Sequence, residues 1–224
     1  MRRSWLFLAL CFPFLADGQE TLLGAGVRSR PRFDGFSERK TDLVPVLRYY
    51  GRPWFARTTQ GMLEGGARWS AAPALDLGAQ LAYEQGPRDQ DPGASAGVHA
   101  EWDGKLGPVP VDALVRFRQP LDTDRGSQAD LRATAGVYEG HGVQAGVFGQ
   151  LTFAAAKYFR AYYDVDESGL VYGSLGALAS YDVSSRWLLV GSLERRHLSD
   201  AAARSALVVQ RSASYGTLGL AYRF

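Results

Sequence analysis

Few residues in this 224-residue chain have the types and spacing that catalysis needs. His197-Leu198-Ser199-Asp200 sets an imidazole two positions from a hydroxyl, which is the raw material for a base-activated serine nucleophile. Such a pair requires an acid to orient the imidazole, and no Glu follows Glu194. The segment reads more simply as a polar loop leaving a strand. The other histidines, His99 and His141, are too far from it and from each other in sequence to form a ligand motif, so neither a metal nor a cofactor is expected.

A larger set of polar residues is defined by position. Glu64, Arg68, Asp76, Gln80, Glu84, His99, Glu101, Asp112, Arg116, Arg118, Arg132, Gln144, Gln150, Arg186, Glu194 and Arg196 lie opposite the apolar residues of segments that alternate with period two. If the apolar set meets lipid, this set lines a lumen. Both signs are mixed, and charges in a narrow lumen are costly unless paired or hydrated. The expectation is therefore that they cross-link opposite walls and fill much of the interior, in preference to forming a selective pore with a ring of one sign. A second basic group, Arg28-Ser29-Arg30-Pro31-Arg32 with Arg39-Lys40, is placed in a loop, where it has the charge to touch lipopolysaccharide phosphates but reads first as a solvated run.

The elements that must position these residues are strands. Leu75, Leu77, Ala79, Leu81 and Tyr83 share one face, with Asp76, Gly78, Gln80, Ala82 and Glu84 on the other. Ala96, Val98, Ala100 and Trp102 oppose Ser95, Gly97, His99, Glu101 and Asp103 in the same way. The pattern predicts strands at 21–29, 42–50, 52–58, 61–70, 74–84, 94–103, 109–118, 128–139, 142–153, 169–181, 185–196 and 213–224. One stretch, roughly Ala154 to Tyr163, competes as a turn of helix within a loop.

The linkers sort by length. Those near 30–41, 85–93, 119–127, 154–168 and 197–212 are long and the intervening ones are tight, except that the link at Thr59-Gln60 is short where a long one is due. An even strand number with loops sorted this way predicts an all-β fold, a closed antiparallel transmembrane β-barrel of about twelve strands with periplasmic termini, set in outer-membrane lipid and lipopolysaccharide. The last strand agrees. Leu218, Leu220, Tyr222 and Phe224 share one greasy face and end on an aromatic, which resembles the terminal signal presented to the barrel-assembly machinery. So does the beginning: Met1-Arg2-Arg3, an apolar run from Trp5 to Leu15 and the small residues around Ala16-Asp17-Gly18 form a signal peptide with cleavage after Gly18. Residues 19–224 then form the barrel, and Cys11 leaves with the peptide, which excludes a disulfide framework and a cysteine nucleophile.

Composition sets limits. With 25 Lys and Arg against 23 Asp and Glu, spread without a basic tract, nucleic acid is not an expected partner. The mean hydropathy of −0.17 does not argue for a soluble protein, because a membrane barrel alternates lipid-facing and lumen-facing residues and averages near neutral.

Several segments in order resemble the MipA/OmpV family of outer-membrane proteins. Leu23-Gly24-Ala25-Gly26-Val27 with Pro31-Arg32-Phe33-Asp34-Gly35-Phe36 is similar to its opening block, and Val44-Pro45-Val46-Leu47-Arg48-Tyr49 with Trp54-Phe55-Ala56 to its second. Lys157 to Val165 is similar to a later Tyr-rich block, with Tyr163-Asp164 where the family has Phe-Gly. Leu198-Ser199-Asp200-Ala201-Ala202 through Val208 is similar to the next, with Ala206 in place of a proline. The resemblance implies an outer-membrane barrel without catalytic residues. It also implies a scaffolding role joining a murein-degrading lytic transglycosylase to a murein synthase, with no residues assigned to that contact. Two other functions are kept beside it: a small-solute channel, from the polar lumen, and a lipid A-modifying hydrolase, because His197-Leu198-Ser199 resembles the His-x-Ser of PagL-type deacylases, which place a Glu downstream.

Overall fold

The computed structural model describes residues 21–84 and 91–224. The expected signal peptide at 1–18 and most of the expected 85–93 linker lie outside the described residues. Twelve strands run in chain order: β1 (Leu22–Pro31), β2 (Arg39–Tyr50), β3 (Trp54–Thr59), β4 (Met62–Ala72), β5 (Leu75–Glu84), β6 (Gly93–Leu106), β7 (Val109–Pro120), β8 (Gln128–Gly140), β9 (Val143–Ala154), β10 (Gly169–Asp182), β11 (Trp187–Leu198) and β12 (Ser212–Arg223). Each pairs antiparallel with its sequence neighbours, and β1 pairs with β12 in the register Val27↔Leu218, so the sheet closes on itself. Closure leaves no unpaired edge, the condition a sheet must meet to cross hydrocarbon.

The wall follows from the period-two pattern. Leu43, Leu81, Val98, Leu175, Leu193 and Leu218 point outward and are exposed, while their neighbours Asp42, Gln80, His99, Ser174, Glu194 and Thr217 turn inward. Near the rim that carries the termini the outer face is ringed by Tyr49, Trp54, Trp69, Trp102, Tyr181 and Trp187, the placement that membrane–water interfaces favour. Two tight turns close by glycine, His141-Gly142 at this rim and Gln60-Gly61 at the opposite one; both have positive φ at successive positions, the two-residue geometry that matches strand twist.

At the opposite rim the connections are longer and folded. An eight-residue helix α1 (Ala156–Tyr163) buries Tyr158, Phe159 and Tyr163, and these pack with Val171, Tyr172, Leu198 and Ala202, the last on the short helix α2 (Asp200–Ala203). Three expectations are corrected. The 30–41 linker shrinks to 32–38, because the ladder continues through Ser29↔Thr41, Arg30↔Lys40 and Pro31↔Arg39. As a result Arg28 and Arg30 sit buried on β1 and not in a solvated loop. Arg186 lies exposed in the β10–β11 turn and not in the lumen, because β11 starts at Trp187, two residues later than expected.

Candidate functional site

The inward face is where the chain concentrates its charge. Glu64 on β4 is inward because Leu63 beside it faces out, and it is 1% exposed. Its Oε1 accepts from Arg57 Nε at 2.5 Å and Thr59 Oγ1 at 3.1 Å, and its Oε2 from Arg116 Nη1 at 2.8 Å and Gln80 Nε2 at 2.9 Å. Strands β4 and β7 are not neighbours in the sheet, so the Glu64–Arg116 pair spans the lumen. Arg116 also donates to Asp130 Oδ2 at 2.8 and 3.0 Å, and Arg118 reaches the same oxygen at 3.0 Å while pairing with Glu84. Arg57 pairs with Glu101 at the other end. The result is a continuous chain of alternating sign, Glu101–Arg57–Glu64–Arg116–Asp130–Arg118–Glu84. Thr152 Oγ1, 2.9 Å from Asp130 Oδ1, and Gln150 Nε2, 3.1 Å from Thr152, extend it to β9.

The side chains of Glu64, Arg116 and Asp130 are 0, 2 and 1% exposed, so the belt keeps water off its own ion pairs. Below it, toward the terminal rim, Arg68 lies 3.4 Å from Asp76 and over the Tyr50 ring at 4.5 Å, and Arg132 lies over Phe148 at 3.9 Å. Leu22, Val46, Leu188, Val190 and Ala221 fill the inside of the neighbouring wall with an apolar cluster. On the far wall Arg196 pairs with Glu194 at 2.8 Å and with Asp34 at 3.1 Å, sandwiched between Tyr172 at 4.6 Å and Tyr215 at 4.1 Å. Because Asp34 belongs to the 32–38 loop, that contact folds the loop into the barrel mouth. In the loops at the mouth, burial pushes the phenols of Tyr158 and Tyr163 on α1 well above their ordinary range, so both stay neutral.

The structure thus brings together Glu64, Arg68, Asp76, Glu84, Glu101, Asp112, Arg116, Arg132 and Glu194 on the inward face. Arg57, Asp130, Arg28 and Arg30 are among the contributors outside that sequence-based set. Arg57 sits on the six-residue β3, too short to display alternation, with Phe55 inward beside it. Asp130 shares parity with Arg132 two residues on, which is the signal that could have found it. Arg28 and Arg30 share parity with Gly24 and Gly26 on the inward face of β1, but the Pro31 break hid it.

The nucleophile reading does not come together. His197 Nδ1 lies 2.8 Å from Ser212 Oγ on the exposed outer wall, whereas Ser199 Oγ accepts from the Ala202 N–H at 3.2 Å and caps α2. His141 occupies a turn and His99 stacks edge-on against Phe55 in the lumen. Among the described residues no cluster of three or more His, Cys, Asp and Glu is placed to hold a metal. The terminal Leu218, Leu220 and Phe224 face outward, and Tyr222 packs between Trp187 at 5.3 Å and Phe224 at 5.0 Å.

The family profile described as MltA-interacting protein MipA matches residues 23–224, which is the whole described barrel. The chain belongs to the MipA family. Similar solved structures share the MipA barrel's fold at low identity. An outer-membrane channel from Pseudomonas putida F1 superposes with a TM-score of 0.60 at 11% identity, covering 93% of this chain and 97% of that one. The NanC porin superposes at 0.56 with 11% identity, covering 91% of this chain and 100% of its own. No match was found among curated proteins. This chain is therefore a closed twelve-strand barrel of the kind built by outer-membrane porins and channels.

Proposed function

We propose that this MipA-family barrel is a non-enzymatic outer-membrane scaffold that holds cell-envelope machinery and does not pass solutes. The observation that carries it is the buried Glu101–Arg57–Glu64–Arg116–Asp130 chain, which ties non-adjacent strands together and leaves no water path beside Glu64. A barrel whose interior is spent on cross-links offers its rims to partners. On this reading the tight turns face the periplasm and engage a lytic transglycosylase and a murein synthase, as the family description and the sequence resemblance suggest. The barrel-assembly machinery reads Leu218, Leu220, Tyr222 and Phe224, and lipid with lipopolysaccharide surrounds the wall.

The test is affinity capture from detergent-solubilised envelopes with the purified barrel as bait and a porin of equal size as control. Recovery of a murein hydrolase or synthase on the barrel alone is expected. Recovery on neither bait removes the scaffold role. The small-solute channel is the second reading, supported by the fold shared with channels and by a wide cavity above the belt, and it requires that the belt open. The lipid A hydrolase has no such support, since His197 and Ser199 have separate partners.

A further inference from the structure

Above the ion-pair belt the lumen widens into a cavity of about 840 Å³ that opens at the loop rim. This lies within the range of small-molecule sites, roughly 300–1,000 Å³. Its basic side chains are mostly matched. Arg196 has Glu194 and Asp34, Arg118 has Glu84 and Asp130, and Arg30 has Asp42 at 2.6 Å. Arg28 is the exception. It is 9% exposed and lines the cavity, and among the described residues its charge is offset only by attraction from Glu194 and Asp34, with no hydrogen bond or ion pair to either. Its one ring contact is the Tyr215 face at 5.4 Å.

We infer that this cavity binds a small solute bearing a carboxylate on a ring, with Arg28 as the counter-charge and the tyrosines as the surface for the ring. A guanidinium that borders an open cavity and is only partly compensated gains from a carboxylate presented to its planar fork through two parallel hydrogen bonds. The rest of the lining suits the rest of such a molecule. Tyr158 and Tyr162 stack at 4.0 Å, and both line the cavity together with Tyr172. Aromatic faces pack against the apolar face of a ring. On the closed-lumen reading proposed above, the cavity is a dead end and the ligand binds and returns by the same mouth. This inference stands whether or not the rims carry partners.

The experiment is calorimetric titration of the full barrel in lipopolysaccharide-free micelles with glucuronate, glucose and inorganic phosphate. Glucuronate is expected to bind, and glucose and phosphate to bind roughly tenfold more weakly or worse, since each lacks one half of the recognition. Arg28→Gln should lower glucuronate affinity roughly tenfold or more, Arg28→Lys should restore part of it, and Arg195→Gln on the outer wall should change nothing. Heat-dependent gel mobility confirms that each variant is folded. Should Arg28→Gln not fold, the Arg28→Lys loss carries the test, because it keeps the charge and removes only the fork. Adding lipopolysaccharide separates the sources: competition assigns the carboxylate to a surface saccharide, and its absence assigns it to a free solute. Failure of the wild-type barrel to bind glucuronate, equal binding of phosphate, or undiminished binding by Arg28→Gln and Arg28→Lys overturns the inference.

Discussion

Replacing Glu64 by Gln keeps the volume of the side chain and removes its charge, so the variant isolates what the ion-pair belt contributes. The wild-type carboxylate takes four donors, Arg57 and Thr59 on one oxygen and Gln80 and Arg116 on the other. A Gln amide has one oxygen and one NH2 group, and whichever way it turns, the NH2 faces an arginine and a neutral donor. One charge-assisted bond of about 1.5–3 kcal/mol is lost and the surviving arginine bond weakens, while the neutral partner, the Thr59 hydroxyl or a turned Gln80 amide, can accept from the NH2. Arg57 retains Glu101 and Arg116 retains Asp130, so neither cation is stranded. The expected loss is therefore about 3 kcal/mol, at the low end of the 3–5 kcal/mol seen when a buried pair is broken outright. Urea titration of the barrel refolded into lipid vesicles, followed by tryptophan fluorescence, reads it directly. Glu38→Gln supplies the control, because its pair with Arg32 is exposed and is expected to matter by less than about 0.5 kcal/mol. Should Glu64→Gln cost no more than Glu38→Gln, the belt is solvated and the account of a sealed lumen is wrong.

Other outcomes follow from the same structure. Leu193→Arg places a charge on the exposed mid-strand outer face and should cost about 2–4 kcal/mol in vesicles, with no comparable cost expected if that face met water. Deleting Phe224, which ends the outward aromatic cluster with Tyr222 and Trp187, should reduce the heat-modifiable barrel recovered from outer membranes; unchanged recovery would remove the assembly role assigned to it. Ser199→Ala should leave the lipid A profile unchanged while removing the α2 cap, a local effect of about 1 kcal/mol. Tyr158 and Tyr163 have phenol pKa values raised by burial, so the stabilisation from their packing is complete below the ordinary phenol value of about 10 and is lost as pH rises toward their raised values. An ultraviolet titration in which every tyrosine ionised together near that ordinary value would contradict the packing of α1.

Much of the barrel was legible because lipid on one side and charge on the other force a strict alternation. Leu75 to Glu84 shows it without interruption, and there the expected and observed strands nearly coincide. The helix expected within 154–163 appears as α1, whose tyrosines line the mouth. What stayed hidden depends on tertiary pairing. Pro31 ends a legible run in sequence, yet its register opposite Arg39 keeps β1 and β2 together past it and carries Arg28 and Arg30 inside. Arg57 was hidden because six residues of β3 offer too few alternations, and its role appears only once Glu64 and Glu101 converge on it from different strands. Parity says which side of the wall a charge lies on, but it does not say which partner it finds across the lumen.

The most direct measurement is planar-bilayer recording of the purified barrel across a range of voltages, with Glu64→Ala beside it. A lumen closed by the Glu64–Arg116–Asp130 belt predicts a flat baseline for the wild type and new current for the variant. Steady, reproducible conductance steps from the wild-type barrel, unaltered in the variant, would contradict it.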